Sequence, residues 1–440
     1  MVVVYPIINN ILRIKLQPIG AGIYLCNEKR QLQGILQINS TALEILKLCN
    51  GKNSLDEIKK KLLDKYNEEF EKISNLVDDF INMSIKIGTI SSSETILIEE
   101  KNLLIQGSNE YWSPSVVSLE LTHKCPLRCK HCYINAGEGK NMQDDLIIPL
   151  EKEIKELNVD IVQLTGGEPL LHTRITNIIE YLVNNNIQVQ IMTSGMINDY
   201  NINQYIKMIN KTHGFVQVSI DGLRETHNKF RGNKDSFDNA IKFISTIINL
   251  GVVVNVSTCF SDQSKGEIEQ LCSYLKEIGV TTYRIGTISE IGRAKNNNVF
   301  SSTNKVHEMR ELKQYLANKF DDKNFTVSFI DDKDEDNIKL GCTNCGYGHN
   351  FIKIDPIGDF YPCVLSEKPV GNYFDKNIKE FMLSKKNVYH NILQPSKDIC
   401  KDCELEPLCH NCINSALINS KYKKDCNWLN SQKDKINILL

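Results

Sequence analysis

Several common protein classes are excluded by what this 440-residue sequence lacks. It has no run of about 18 apolar residues, so no helical membrane span is expected. Its opening, MVVVYPIINNILRIK, is apolar but has neither a basic leading region nor a small-residue cleavage site. It therefore reads as the first strands of a domain rather than an export signal, and the expected location is the cytoplasm. An excess of one charge is missing too: 52 Lys and Arg against 54 Asp and Glu leave a formal net charge of −2. That balance argues against nucleic acid or an anionic membrane as partner. No internal repeat is found. At 41% hydrophobic and 24% charged residues the composition is that of an ordinary globular protein, long enough for two or three domains with cores of their own.

Cysteine, by contrast, is plentiful, with 15 residues. In a reducing compartment clustered thiols point to metal more than to disulfides. Three lie at 125–132 and eight between 342 and 426, while Cys26, Cys49, Cys259 and Cys272 are scattered and read as small core hydrophobes.

Residues 1–90 read as one α+β unit of winged-helix-like outline. The segments ILRIKL, GIYLCN and LQGILQIN suggest strands. Helices are expected after Asn39 or Ser40, stopping at Gly51, then after Ser54, and again over about 71–87. Residues 91–115 read as a linker with one extended segment. From 116 to 300 strands and helices alternate. The strands are VVSLELT, IVQLTGG, VQIMTSG, FVQVSID, VVVNVST and TYRIGTI. Six β–α units imply a parallel sheet covered on both faces, and fewer units than a full barrel suggest an open, partial (β/α)6 TIM barrel with its site at the C-terminal strand ends. Residues 301–340 bridge to a polar, cysteine-dense segment, 341–440, that needs metal ligation to be stable.

The first cysteine cluster, CPLRCKHC, has the spacing C-x3-C-x2-C just after the first of these strands. Spacing alone leaves zinc, with His123 or His131 as a fourth ligand, and an iron–sulfur cluster equally open. The ends of the next three strands carry GGEP (166–169), TSG (193–195) and SIDG (219–222), polar and glycine-rich groups on one rim, as a bound small molecule requires.

Together these motifs resemble the radical S-adenosylmethionine (radical SAM) family over residues 116–300. The resemblance implies that Cys125, Cys129 and Cys132 hold three irons of a [4Fe-4S] cluster whose fourth iron takes S-adenosylmethionine. It implies that the backbone of Gly166, Gly167 and Pro169, with Glu168, binds the methionine ammonium. Ser219 and Asp221, with Ser194, would contact the ribose or methionine moiety, and His131 and Tyr133 would lie near the adenine. The later cysteines, C-x12-G-x4-C then C-x2-C-x5-C-x2-C then C, are similar to the SPASM extension of peptide-modifying members, although C-x2-C stands at 409–412 where C-x3-C is common. That similarity implies auxiliary cluster I on Cys342, Cys345, Cys363 and Cys412, and auxiliary cluster II on Cys400, Cys403, Cys409 and Cys426, three [4Fe-4S] clusters in all. Two zinc ribbons are the alternative for these eight cysteines. The segment EIGRAKN, 290–296, also resembles these enzymes.

LQINSTALEILKLCNGKNSLDEIKKKL resembles the small PqqD-like leader-recognition domain, whose peptide adds to a sheet edge, here residues 22–38, beside the helix at 71–87. The implied activity is maturation of a ribosomal precursor peptide by Cys sulfur-to-α-carbon thioether links, as in sactipeptide bacteriocins, with flavodoxin or ferredoxin as electron donor. Alternatives are carbon–carbon cross-linking, sulfatase maturation and, outside enzymes, a zinc-binding transcription regulator. No catalytic acid or base is assigned.

Overall fold

The computed structural model describes residues 3–26, 32–97, 103–197, 200–329, 344–386 and 388–436. They divide into two compact units, one ending at Ser113 and one beginning at Pro114. Cys342 lies outside the described residues, as do 27–31 of the expected leader-binding edge.

The first unit opens with β1 (Tyr5–Ile8), β2 (Ile11–Gln17), β3 (Gly20–Cys26) and β4 (Leu32–Asn39). Three helices follow: α1 (Ser40–Leu48), α2 (Leu55–Tyr66) and α3 (Phe70–Ile87). The first two starts have a local cause. Asn39 caps α1 by accepting from the Ala42 amide, and Ser54 with Glu57 forms a reciprocal capping box on α2. The first helix ends earlier than expected: Cys49, not Gly51, is its cap, because the chain turns at once so that Ile8 N can donate to the Cys49 carbonyl. The third helix ends on Gly88 at φ +85, a left-handed position glycine adopts without strain.

The stretch expected to be a linker contributes two strands. These are β5 (Ile90–Ser93), antiparallel to β1, and β6 (Leu104–Gly107), parallel to β2. The resulting four-stranded sheet runs β4-β3-β2-β6, so β4 is an edge. Ile14, Ile23, Ile45, Leu46, Ile58, Val77 and Ile81 form the core beneath it. Fully burying such side chains is worth roughly 1.5–3 kcal/mol each.

The second unit is built on one sheet. Its strands β7 (Val116–Thr122), β8 (Ile161–Gly166), β9 (Gln188–Thr193), β10 (Phe215–Ser219), β11 (Val253–Cys259) and β12 (Thr282–Gly286) fall where the sequence placed them and are parallel neighbours in that order. Helices at Ile175–Asn184, Ser236–Asn249 and Lys265–Glu277 connect them as expected. The sheet is wider than six strands. β13 (Thr326–Phe329) adds in parallel beyond β12. On the other side β14 (Phe351–Ile354) adds in parallel to β7, followed by antiparallel β15 (Asp359–Tyr361) and β16 (Gly371–Asn372). Part of the cysteine-dense segment, from Phe351 on, thus joins the sheet. No helix among the described residues is long and apolar enough to cross a membrane.

Candidate functional site

The loop after β7 carries Cys125, Cys129 and Cys132, and backbone bonds hold it almost throughout. The Cys125 amide donates to the Gly137 carbonyl at 2.8 Å, and Gly137 N returns to His123 O at 2.8 Å. Arg128 N and Lys130 N donate to the carbonyls of Arg231 and Phe230. From the segment 290–297, Arg293 N donates to Cys132 O at 2.9 Å, Arg293 Nε to Cys129 O at 2.8 Å and Nη1 to Ala136 O at 2.6 Å; Asn297 Nδ2 donates to Lys130 O. Gly292 stands at φ +53, and a Cβ there would lie 2.5 Å from the carbonyl oxygens of Cys132 and Tyr133. EIGRAKN is therefore a clamp on the cysteine loop.

The three thiols lie within electrostatic reach of one another. Burial pushes Cys125 up to about 12, and charge on Glu168, Cys129 and Cys132 adds to that. Cys129 is buried, which raises it, but Arg231 opposes the shift with Nη1 3.6 Å from the sulfur. Ala136 N donates to Cys132 Sγ at 3.3 Å. Donors aimed at sulfur suit thiolate better than thiol, and a bound metal supplies the charge that removes these protons. The donor set therefore fits an iron–sulfur cluster.

GGEP at the end of β8 runs against this loop. Gly167 N donates to Thr122 O at 2.6 Å and Glu168 N to Lys124 O at 2.9 Å. A Cβ on Gly166, at φ +135, would lie 2.4 Å from Thr122 O, and one on Gly167 2.2 Å from Lys124 O. Only glycine permits this approach. We expect Gly167→Ala to push Lys124 and Cys125 outward and to cost at least half the iron of the first cluster, roughly two atoms per chain for a [4Fe-4S] centre. Iron and sulfide assays of anaerobically reconstituted protein check this, and a wild-type count would refute it.

Glu168 is fully buried. Its Oε1 accepts from Thr193 Oγ1 at 2.7 Å and Leu170 N at 3.2 Å; its Oε2 accepts from Ser194 N at 2.9 Å and Ser194 Oγ at 2.5 Å. Burial raises its pKa against the pull of these donors. A carboxylate has about four acceptor positions, and here the protein fills them. Glu168 thus braces GGEP to TSG. Contact with an ammonium requires one donor to leave, and the Ser194 hydroxyl can do so by rotation.

Asp221, also fully buried, accepts from Arg231 Nε at 2.6 Å and from Cys259 N at 2.9 Å. Burial alone would raise its pKa, but Arg231, His131 and His227 hold it below the ordinary range. Burial pushes His227 down to about 4, so it is neutral and its Nδ1 accepts from Asp221 N. His131 stacks on Phe230, centroids 4.5 Å apart and planes 8° apart, and its buried Nδ1 has no partner among the described residues. A His131 nitrogen, the Asp221 carboxylate and Cys259 Sγ lie within 4.8 Å of one another. Asp221 is already committed to Arg231, so this trio reads as an ion-pair support rather than a metal site. The Tyr133 hydroxyl bonds with Thr165 and Glu120. Ser219 ends β10 beside Ser257, and Pro169 opens the turn Pro169–Leu171.

Sequence reasoning missed Arg231, Glu120 and Lys353, and singled out EIGRAKN without giving Arg293 a role. Glu120 and Lys353 are both buried and pair at 3.2 Å. Glu120 had a signal: a lone acid in the apolar VVSLELT. Arg231 had none beyond following SIDG.

Among the later cysteines, Cys400, Cys403, Cys409 and Cys426 lie within electrostatic reach of one another. Cys363 and Cys412 both act on Tyr347, which burial and then Ser366 and these thiols influence. Leu429 N donates to Cys426 Sγ and Ser415 N to Cys412 Sγ, again donors aimed at sulfur. Nothing places Cys345 with its expected partners. Cys26, Cys49 and Cys272 are buried as expected of small hydrophobes, whereas Cys259 adjoins Asp221.

Comparison with known proteins agrees with this geometry. Residues 119–275 match the model of the radical SAM superfamily, and residues 24–90 match that of coenzyme PQQ synthesis protein D (PqqD). The chain is 25% identical to the antilisterial bacteriocin subtilosin biosynthesis protein AlbA of Bacillus subtilis, over 98% of this chain and 97% of that one. It is 22% identical to the sporulation killing factor maturation protein SkfB of the same organism, over 64% and 68% of the two chains. Its fold is similar to that of Streptococcus suis SuiB bound to S-adenosylmethionine, with a TM-score of 0.64 and 14% identity, covering 96% of this chain and 98% of that one. By its cysteine loop, its strand-end motifs and these matches, the chain is an enzyme that carries a radical SAM domain over residues 119–275 and a PqqD-type domain over residues 24–90.

Proposed function

We propose that this enzyme matures a ribosomally made precursor peptide, forming bonds between cysteine sulfur and the α-carbon of other residues. The similarity to AlbA along nearly the whole chain carries this reading. The partial (β/α)6 barrel would house the chemistry, the winged-helix-like PqqD-type domain would bind the leader, and the SPASM-like segment would hold two auxiliary clusters. The first unit suits that task. Its β4 edge has no neighbouring strand among the described residues, so an extended peptide can add to it. Its third helix leaves Leu76, Met83 and Ile87 exposed at helical spacing, an apolar stripe for side-chain pockets. SuiB has been solved with its precursor peptide SuiA.

When bound, the first cluster and S-adenosylmethionine supply a deoxyadenosyl radical that takes hydrogen from an unactivated C–H bond. The chain's own residues do the rest. Cys125, Cys129 and Cys132 would hold the cluster; the GGEP backbone, Ser194, Ser219 and Asp221 would orient the cosubstrate, with His131 and Tyr133 near the adenine. Closing a thioether removes one hydrogen atom from carbon, one proton from the thiol and one further electron, for which the C-terminal thiolates would hold an acceptor. The electron donor would be a flavodoxin or ferredoxin.

Co-expression with the short cysteine-bearing reading frame nearest the gene, followed by mass spectrometry, tests this. Each link should lower the peptide mass by two hydrogens, and fragmentation should locate it at a cysteine. An unchanged peptide would sink the reading, and a link between two carbons would transfer it to carbon–carbon cross-linking. We further expect Cys403→Ala to retain most deoxyadenosine formation but to lower cross-linked product by about two orders of magnitude or more, because only the second electron loses its path.

A further inference from the structure

The helix-covered face of the large sheet is apolar, and its opposite face is polar. Val216, Val218, Val254, Val256, Tyr283 and Ile285 are buried on the first. By strand alternation Gln217, Asn255, Ser257 and Arg284 occupy the second. The register sets Asn255 beside Gln217, and Arg284 between Ser257 of β11 and Ser328 of β13. Arg284 reaches across this face, and its Nη1 donates to Gln217 Oε1 at 3.3 Å.

Three buried polar atoms in this patch have no partner among the described residues: Arg284 Nε, Ser328 Oγ and Asn255 Oδ1. The other deeply placed cations of this unit have counter-ions, Arg231 with Asp221 and Lys353 with Glu120. Arg284 pairs with no carboxylate among the described residues, and burial with no offsetting charge lowers its pKa. A half-buried cation without a counter-ion is costly, so its retention calls for a reason. The unpaired Nε belongs to the guanidinium edge that grips a carboxylate through two parallel bonds. A serine hydroxyl and a rotatable amide stand on the neighbouring strands.

We propose that Arg284, Ser328 and Asn255 form a subsite for a carboxylate of the peptide substrate. The proposal rests on the peptide-maturase reading and narrows it: the peptide presents an acidic group near the residue that reacts. The methionine carboxylate of the cosubstrate is the less suitable occupant. Glu168 and the GGEP turn follow β8, and β12 lies four strands further along the sheet order. At about 4.8 Å per strand that is roughly 19 Å measured around the curve of the sheet, and Arg284 stands two residues short of the C-terminal end of β12.

The carboxylate can belong to an Asp or Glu side chain or to a peptide C-terminus, and small probes separate the two. Calorimetric titration of the reconstituted, full-length protein would compare N-acetylglutamate N-methylamide with the corresponding glutamine derivative, and N-acetylalanine with its amide. In one of these pairs the acid should bind about tenfold more tightly than the amide, the scale of a charge-assisted bidentate contact. Arg284→Gln should remove that preference, and Arg284→Lys, which keeps the charge, should retain part of it. No preference in either pair, or a preference intact in Arg284→Gln, overturns the subsite. So does a loss of S-adenosylmethionine affinity in Arg284→Gln with the probe preference unchanged. The two-hydrogen mass loss of the co-expressed peptide with the wild-type protein reports on the broader reading separately: if it occurs and the preference is absent, the subsite alone falls.

Discussion

Replacing Cys125, Cys129 or Cys132 by alanine should abolish cleavage of S-adenosylmethionine, with deoxyadenosine falling at least about a thousandfold, to background. The size of the effect follows from what the substitution leaves intact. The loop is held by Cys125 N to Gly137 O, by Arg293 to the Cys129 and Cys132 carbonyls, and by Arg128 and Lys130 to the helix Arg224–Arg231. None of these bonds uses a sulfur, so alanine removes a ligand while the backbone keeps its place. Iron should fall by about four atoms per chain from a total of about 12 if three [4Fe-4S] clusters are present. Cys259→Ala is the control. Its thiol lies near Asp221 and His131, yet its tie to Asp221 is through the backbone amide, which alanine keeps. That variant should hold a full iron complement. Deoxyadenosine from any of the three loop variants, or iron loss confined to Cys259→Ala, would move the cluster elsewhere.

The parts of the fold legible in the sequence were those with local causes. The strands β7 to β12 announce themselves as apolar runs ended by glycine or polar turns, and the caps at Asn39 and Ser54 are chemical necessities of helix starts. Pairings across long sequence separations left no such trace. FIKI reads as an isolated apolar run, yet it pairs with VVSL more than 200 residues earlier. LIQG, taken for part of a linker, is a strand only because β2 offers it an edge. The site shows the same division. The cysteine spacing and strand-end motifs were visible as motifs, but Arg231, Arg293 and Lys353 acquire roles only through what folding brings beside them. Glu168 is the instructive case: its motif was plain, whereas the saturation of its oxygens by Thr193, Ser194 and Leu170 depends on how two strand ends meet.

Asp221→Asn should destabilise the protein by about 3–5 kcal/mol, the usual cost of breaking a buried ion pair from one side. Asp221 is fully buried and Arg231 is 8% exposed, so water cannot replace the lost carboxylate. Among the described residues the guanidinium would keep only the Cys129 sulfur, 3.6 Å from Nη1, as a partner. Removing both charges, in Asp221→Asn with Arg231→Gln, should recover much of the loss, since a neutral pair needs no compensation and the two amides can bond to each other. Urea unfolding of the anaerobically reconstituted protein, followed by circular dichroism, measures the cycle. The same pair predicts an acid dependence. Arg231 and the two nearby histidines depress the Asp221 carboxyl, so its contribution is fully present above the unfolded value of about 3.9 and is lost as pH falls through the lower folded value. Over that acid range wild type should lose stability relative to Asp221→Asn. A single variant within about 1 kcal/mol of wild type would mean that the pair is screened as surface pairs are. In that event the ordering of the Cys129 loop against the helix Arg224–Arg231 would have to come from the backbone bonds alone.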